Sequence, residues 1–87
     1  MRKVSYTSFD YQPVDIVPVI ASFDSEGHIK PLYVRIDGEP LKVISSWVSS
    51  SFNNTVDYKC KVAVGDSLKP LALSFHRYEG MWTMPKP

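Results

Sequence analysis

The sequence is poor in the residue types that carry chemistry or mark export. Its 87 residues include one cysteine and four glycines, which excludes an intrachain disulfide, a cysteine-rich zinc site and a glycine-rich phosphate loop. The net charge is only +1, which offers no general attraction to nucleic acid or to an anionic membrane. The chain shows no apolar run long enough to span a membrane and no export leader, so we expect a cytoplasmic protein without membrane contact.

Groups that could act in catalysis are few and lack partners. Cys60 alternates with apolar residues, so we expect a buried and inert thiol. The serines at positions 49–51 have no glycine elbow and are expected to form a flexible connection between strands. His28 lies beside Asp24 and Glu26 in a turn-forming segment that lacks the spacing of a known metal-binding loop. We therefore predict no catalytic residue, no cofactor and no metal, and we do not expect an enzyme.

The composition is that of one small globular domain, which we assign to residues 1–87. Hydrophobic residues make up 44% of the chain and aromatic residues 13%, so the aromatic side chains can supply much of the apolar area that a short chain needs. Residues 1–12 alternate less regularly than the rest and contain Tyr6, Phe9 and Tyr11. This segment either docks on the domain or is only partly ordered.

Alternation of apolar and polar residues predicts strands along most of the chain. The clearest strand covers residues 55–64, where the valines, Tyr58 and Cys60 take every second position. A hairpin with its turn at Asp37 and Gly38 precedes it. The strand after that turn is predicted either to be buried on both faces or to carry a bulge near Ser45 and Ser46.

Shorter strands complete the pattern at both ends. Residues 14–23 are rich in β-branched side chains, but Pro18 places that strand at an edge or a bulge. Residues 71–76 alternate as a fifth strand, and residues 81–84 follow as a sixth after a turn near Glu79 and Gly80. We predict an all-β domain, a small antiparallel barrel or meander of five to six strands, SH3-like or similar, without a long helix.

The alternation also predicts which side chains form the core. The predicted core residues are Ile20, Leu32, Val34, Ile36, Val43, Val56, Tyr58, Val62, Leu73, Phe75 and Trp82. The opposite row of the same strands is basic and aromatic, and such side chains on a β surface can hold phosphates and stack on bases. The predicted binding surface consists of Tyr33, Arg35, Lys59, Lys61, His76, Arg77 and Tyr78. The alternative is a solvated face with amphipathic tyrosines.

A family resemblance begins in residues 20–35, IASFDSEGHIKPLYVR. An apolar strand, an acidic turn with Gly27, an I-x-P step ending at Pro31 and an apolar-aromatic-arginine strand follow one another there. In this order they resemble an uncharacterised family of small β domains of Gram-positive (Firmicutes-type) bacteria. The resemblance extends over about residues 13–84, although relatives are richer in glycine and basic residues where this chain has WVSSSFNNTVDYK. It implies an all-β fold and an association with Y-family translesion DNA polymerases, and it carries over no activity.

Together these features favour a non-catalytic binding or accessory module. One hypothesis is weak contact with nucleic acid in DNA repair or in a mobile element. The alternative is a protein-interaction or self-association module that uses an exposed strand edge, with Pro18 guarding against uncontrolled pairing. The residues leave open the partner and the choice between monomer and homodimer.

Overall fold

The computed structural model describes residues 14–86 as one antiparallel, all-β sheet. It contains seven strands: β1 (Val14–Val17), β2 (Val19–Phe23), β3 (Ile29–Ile36), β4 (Glu39–Phe52), β5 (Thr55–Val64), β6 (Ser67–His76) and β7 (Met81–Pro85). The described part has no helix that could cross a membrane. The all-β prediction is confirmed, whereas the count of five to six strands is wrong. The expectation for residues 1–12 lies outside the described residues.

The additional strand arises at Pro18, which divides the predicted first strand in two. In the sheet the strands run in the order β1-β7-β6-β5-β4-β3-β2, so β1 and β2 lie at opposite ends although one residue joins them. Pro18 has no N–H to donate, but its carbonyl accepts a bond of 3.0 Å from the amide of Arg35. Because the two ends of the strand order meet at Pro18, the sheet is curled like a barrel.

Turn chemistry sets the hairpins that connect the strands. Asp37 and Gly38 have φ values of 52° and 80°, so the predicted turn between β3 and β4 is confirmed. Asn53, with φ of 55°, begins the two-residue connection between β4 and β5. Asp, Asn and Gly tolerate this left-handed region better than other residues, which is why these hairpins can be so tight.

Most of the predicted core is confirmed, with one error and two partial cases. Ile20 is 64% exposed because Val19 and Ala21 take the inward positions of β2. Residues 14–23 have apolar side chains in both rows, so alternation alone does not assign the inward row. Leu32 and Ile36 are half-buried. The remaining predicted core residues are buried: Val34, Val43, Val56, Tyr58, Val62, Leu73, Phe75 and Trp82.

Aromatic rings fill one part of the interior. The ring of Phe75 lies 5.0 Å from that of Trp82 and 6.0 Å from that of Phe23, and Tyr58 packs 5.4 Å from Trp82. The Tyr58 hydroxyl donates a 2.9 Å bond to the carbonyl of Ile29. Strands β3, β5, β6 and β7 are thereby tied together inside the curl, while Phe23 of β2, which is 62% exposed, contacts this cluster from its edge. Such ring pairs add stability beyond the buried area.

Strand β4 carries the predicted bulge, and a second one closer to its end. Val43 pairs with Val62 and Ser45 pairs with Lys61, which leaves Ile44 as the extra residue. Ser49 is the extra residue of the second bulge. The alternative of burial on both faces is wrong, since Ile44 is 49% exposed. The serines at 49–51 belong to β4, so the prediction of a flexible connection there is also wrong.

Candidate nucleic-acid interface

The first bulge of β4 decides where the indole of Trp47 points. An uninterrupted alternation from Val43 would place Trp47 in the inward row. The extra residue at Ile44 shifts the parity, and Trp47 instead pairs with Lys59, whose side chain is exposed. Directly opposed residues of an antiparallel pair project from the same face, so Trp47 faces outward and is 49% exposed.

Trp47 and two lysines form one side of a shallow groove on the outer face of the sheet. The groove has a volume of about 290 Å³ and is lined by Trp47, Lys59, Cys60, Lys61, Pro70, Leu71 and Ala72. We name it the tryptophan-lysine groove. Lys59 and Lys61 are exposed, and neither forms an ion pair among residues 14–86. An accessible indole beside two uncompensated cations can stack on a base and neutralise phosphates.

Tyr33 and Arg35 lie in a different groove, which is lined by residues of β2, β3 and β4. This groove measures about 340 Å³ and also contains Pro18, Ile20 and Pro40. Strand β3 pairs with β4 only over residues 39–42, whereas Trp47 lies farther along β4, where the partner is β5. The structure therefore places Tyr33 and Arg35 outward, as expected, but on a separate part of the surface.

His76 faces outward, yet it is engaged within the sheet. It pairs with Thr55, and its Nε2 atom lies 2.9 Å from the hydroxyl of Thr83. Ala72, which pairs with Lys59, is four residues away along β6, a separation of about 13 Å at the rise of a strand. His76 thus shares the outer face with Lys59 without belonging to the tryptophan-lysine groove.

Arg77 and Tyr78 lie in the turn that follows β6, which confirms the predicted turn near Glu79 and Gly80. The Arg77 amide donates to the carbonyl of Asn54 at 2.7 Å, and its guanidinium donates to that of Asn53 at 3.0 Å. Arg77 therefore ties this turn to the β4–β5 hairpin. Tyr78 is 89% exposed and projects from the tip.

The seven residues of the predicted binding surface are thus spread over several parts of the molecule. Two of them, Lys59 and Lys61, line the tryptophan-lysine groove. Sequence reasoning found Lys59 and Lys61 because β5 alternates without interruption. It missed Trp47, although the signal was present: the bulge predicted near Ser45 shifts the following residues of β4, up to the second bulge at Ser49, by one position.

Asp57 is the next outward residue of β5 beyond Lys59, toward the β4–β5 hairpin turn. Its Oδ1 atom accepts a 2.6 Å bond from the hydroxyl of Ser74, and its Oδ2 atom a 2.8 Å bond from that of Ser50. These two serines flank Asp57 on the neighbouring strands β6 and β4. The carboxylate is therefore held in a defined orientation at the surface.

The local environment shifts the pKa of three ionisable groups among the described residues. Burial raises the pKa of the Cys60 thiol and, as the main cause, that of the Tyr58 hydroxyl, where Arg77 acts in the opposite direction. Hydrogen bonding, first from the His28 amide, lowers the pKa of exposed Asp24, whose Oδ2 atom lies 3.0 Å from Nδ1 of His28. Among residues 14–86, no three His, Cys, Asp or Glu side chains gather as metal ligands.

Comparison with known proteins returned no matching family model, curated protein or solved structure. The resemblance seen in residues 20–35 therefore stays a prediction.

Proposed function

We propose that this protein is a non-catalytic module that binds single-stranded nucleic acid at the tryptophan-lysine groove. The observation that carries the proposal is the exposed indole of Trp47 directly opposite Lys59, with Lys61 one step farther along the same row. A large aromatic ring left half-exposed on a small protein forgoes burial that would stabilise the fold. Stacking on a base would compensate for that loss.

Each part of the groove has a task in this proposal. The Trp47 ring stacks on one base, an interaction that contributes about 1–3 kcal/mol and tolerates any sequence. Lys59 and Lys61 bind the phosphates that flank this base. Pro70 and Ala72 on β6 give an apolar floor against which a sugar can pack. With two phosphate contacts and a net charge of +1, we expect weak binding that depends on salt.

The cellular setting of the proposal follows from the resemblance rather than from the groove. A cytoplasmic accessory of DNA repair or of a mobile element would meet single strands, and the translesion polymerase association supports that setting. We also keep the SH3-like assignment as a proposal. It is supported by Pro18, which joins β1 to β2 and so brings together the two ends of a small meander.

Fluorescence titration tests the proposal directly, because Trp82 is 6% exposed and Trp47 is the accessible indole of the described chain. We expect a short oligo(dT) to quench the emission at low salt. The plot of log affinity against log salt concentration should have a slope of about −1.4 for two phosphate contacts. A Trp47→Ala variant should lose the aromatic contribution.

A matched pair of variants separates the groove from general charge. Lys59→Ala/Lys61→Ala should lose most of the binding and most of the salt dependence. Lys30→Ala/Lys42→Ala removes the same charge from exposed positions on β3 and β4 and should change the affinity little. Equal losses in the two double variants, or no quenching by either oligo(dT) or oligo(dC), would rule out the proposed site.

A strand edge that is open among residues 14–86 supports the alternative of a protein partner. Residues 67–73 of β6 pair with β5 but not with β7, which meets β6 only at residues 74–76. Pro70 occupies this one-sided stretch, where a missing N–H costs little, and Leu68 is 57% exposed. Pro18, by contrast, joins β1 to β2 and so does not guard this edge. Sedimentation at several concentrations decides the matter: a strict monomer counts against self-association.

A further inference from the structure

The carboxylate of Asp57 lies on the other side of Trp47 from Lys61. Trp47 pairs with Lys59. Along β5, Lys61 follows Lys59 by two residues and Asp57 precedes it by two residues. Each of these steps is about 7 Å long at the rise of a strand. A base stacked on Trp47 would thus have Lys61 toward one edge and a fixed anionic acceptor toward the other, with Lys59 between them.

The Asp57 carboxylate can accept further hydrogen bonds from a ligand. A carboxylate has about four lone-pair sites, and the hydroxyls of Ser74 and Ser50 occupy one on each oxygen. The two hydroxyls fix the plane of the carboxylate in advance, so little side-chain freedom is lost when a further donor arrives. Asp57 is half-buried in β5, and its row faces outward with Lys59.

We propose that Asp57 reads the edge of the base stacked on Trp47 and selects bases that carry an exocyclic amino group. This inference rests on the proposed function of the tryptophan-lysine groove. The amino group of cytosine donates a hydrogen bond to a carboxylate, whereas thymine presents the O4 acceptor at the same position. Two acceptors facing each other repel, so Asp57 favours cytosine over thymine by both attraction and exclusion.

The test compares oligo(dC) with oligo(dT) of equal length, in slightly alkaline buffer so that cytosine stays unprotonated. We expect oligo(dC) to bind about tenfold more tightly, a ratio that corresponds to about 1.4 kcal/mol and lies within the range for one base contact. In Asp57→Asn, the ratio should fall close to one, mainly because oligo(dT) binds better once the charge is gone. Asp66→Asn removes the same charge from the β5–β6 turn and should leave the ratio unchanged.

A second variant covers the case in which Asp57→Asn fails to fold. Ser50→Ala/Ser74→Ala keeps the charge but releases the carboxylate, so the preference for oligo(dC) should shrink while binding persists. Equal affinity of the wild-type protein for the two oligonucleotides overturns the role of Asp57 and leaves the proposed function standing. A preference that survives in Asp57→Asn also overturns it. Failure of both oligonucleotides to bind overturns this inference together with the proposed function.

Discussion

At the scale of single residues, the interior holds two ionisable groups in their neutral forms. Cys60 is 1% exposed and Tyr58 is 5% exposed, and burial raises the pKa of each. A raised pKa means that the folded protein binds the proton more tightly than the unfolded chain does. These groups therefore stabilise the fold fully below their ordinary pKa values, about 8.5 for cysteine and about 10 for tyrosine. The contribution is lost as pH rises above those values.

We accordingly expect the free energy of unfolding to fall as pH rises from about 8 to about 11. Tyr58→Phe removes one of the two titrations and should make this decline shallower. At neutral pH the same variant should cost about 1 kcal/mol, because the bond to the Ile29 carbonyl is lost. Urea unfolding at several pH values measures both effects, with exposed Tyr78→Phe as the control. A stability that stays constant up to about pH 11 would contradict this assignment.

At the scale of elements, the regularity of a strand decides how far sequence predicts it. Strand β5 alternates without interruption, and its predicted bounds and inward row agree with the structure except at its end, where Val64 is 40% exposed. Residues 14–23 have two apolar rows, so the choice of Ile20 as a core residue was arbitrary. In β4 the existence of a bulge was predictable, but its position depends on pairing with β5, which involves residues remote in sequence.

The bulge of β4 gives a prediction about deletions. Removing Ile44 should leave the pairs Val43–Val62 and Ser45–Lys61 adjacent and keep Trp47 outward, at a cost of about 1 kcal/mol or less. Ala72 occupies a regular position of β6. Its removal exchanges the inward and outward side chains of β6 on one side of the deletion, so this variant should not fold stably. Urea unfolding and acrylamide quenching of Trp47 check both variants. Equal damage from the two deletions would argue against the bulge.

At the scale of the whole molecule, the proposed site lies on the outer face of the curled sheet, apart from the aromatic cluster of the interior. Aromatic rings occupy one part of the inside of the curled sheet, and a separate groove of about 310 Å³ reaches the buried side chains of Val56 and Tyr58. Charge is also uneven: residues 1–39 hold four Lys or Arg against six Asp or Glu, whereas residues 40–87 hold six against three. The tryptophan-lysine groove lies in the basic part, so the net charge of +1 understates the local attraction for phosphate.

The most direct test of this account is a ¹H–¹⁵N correlation spectrum recorded during titration with single-stranded DNA. The indole Nε1–H signal of Trp47 and the amide signals of Lys59, Lys61 and Ala72 should shift together with one affinity. The indole signal of Trp82, which is buried, should stay in place. Shifts confined to the turn around Tyr78, or an unchanged Trp47 signal at saturating DNA, would contradict the assignment of the tryptophan-lysine groove as the binding site.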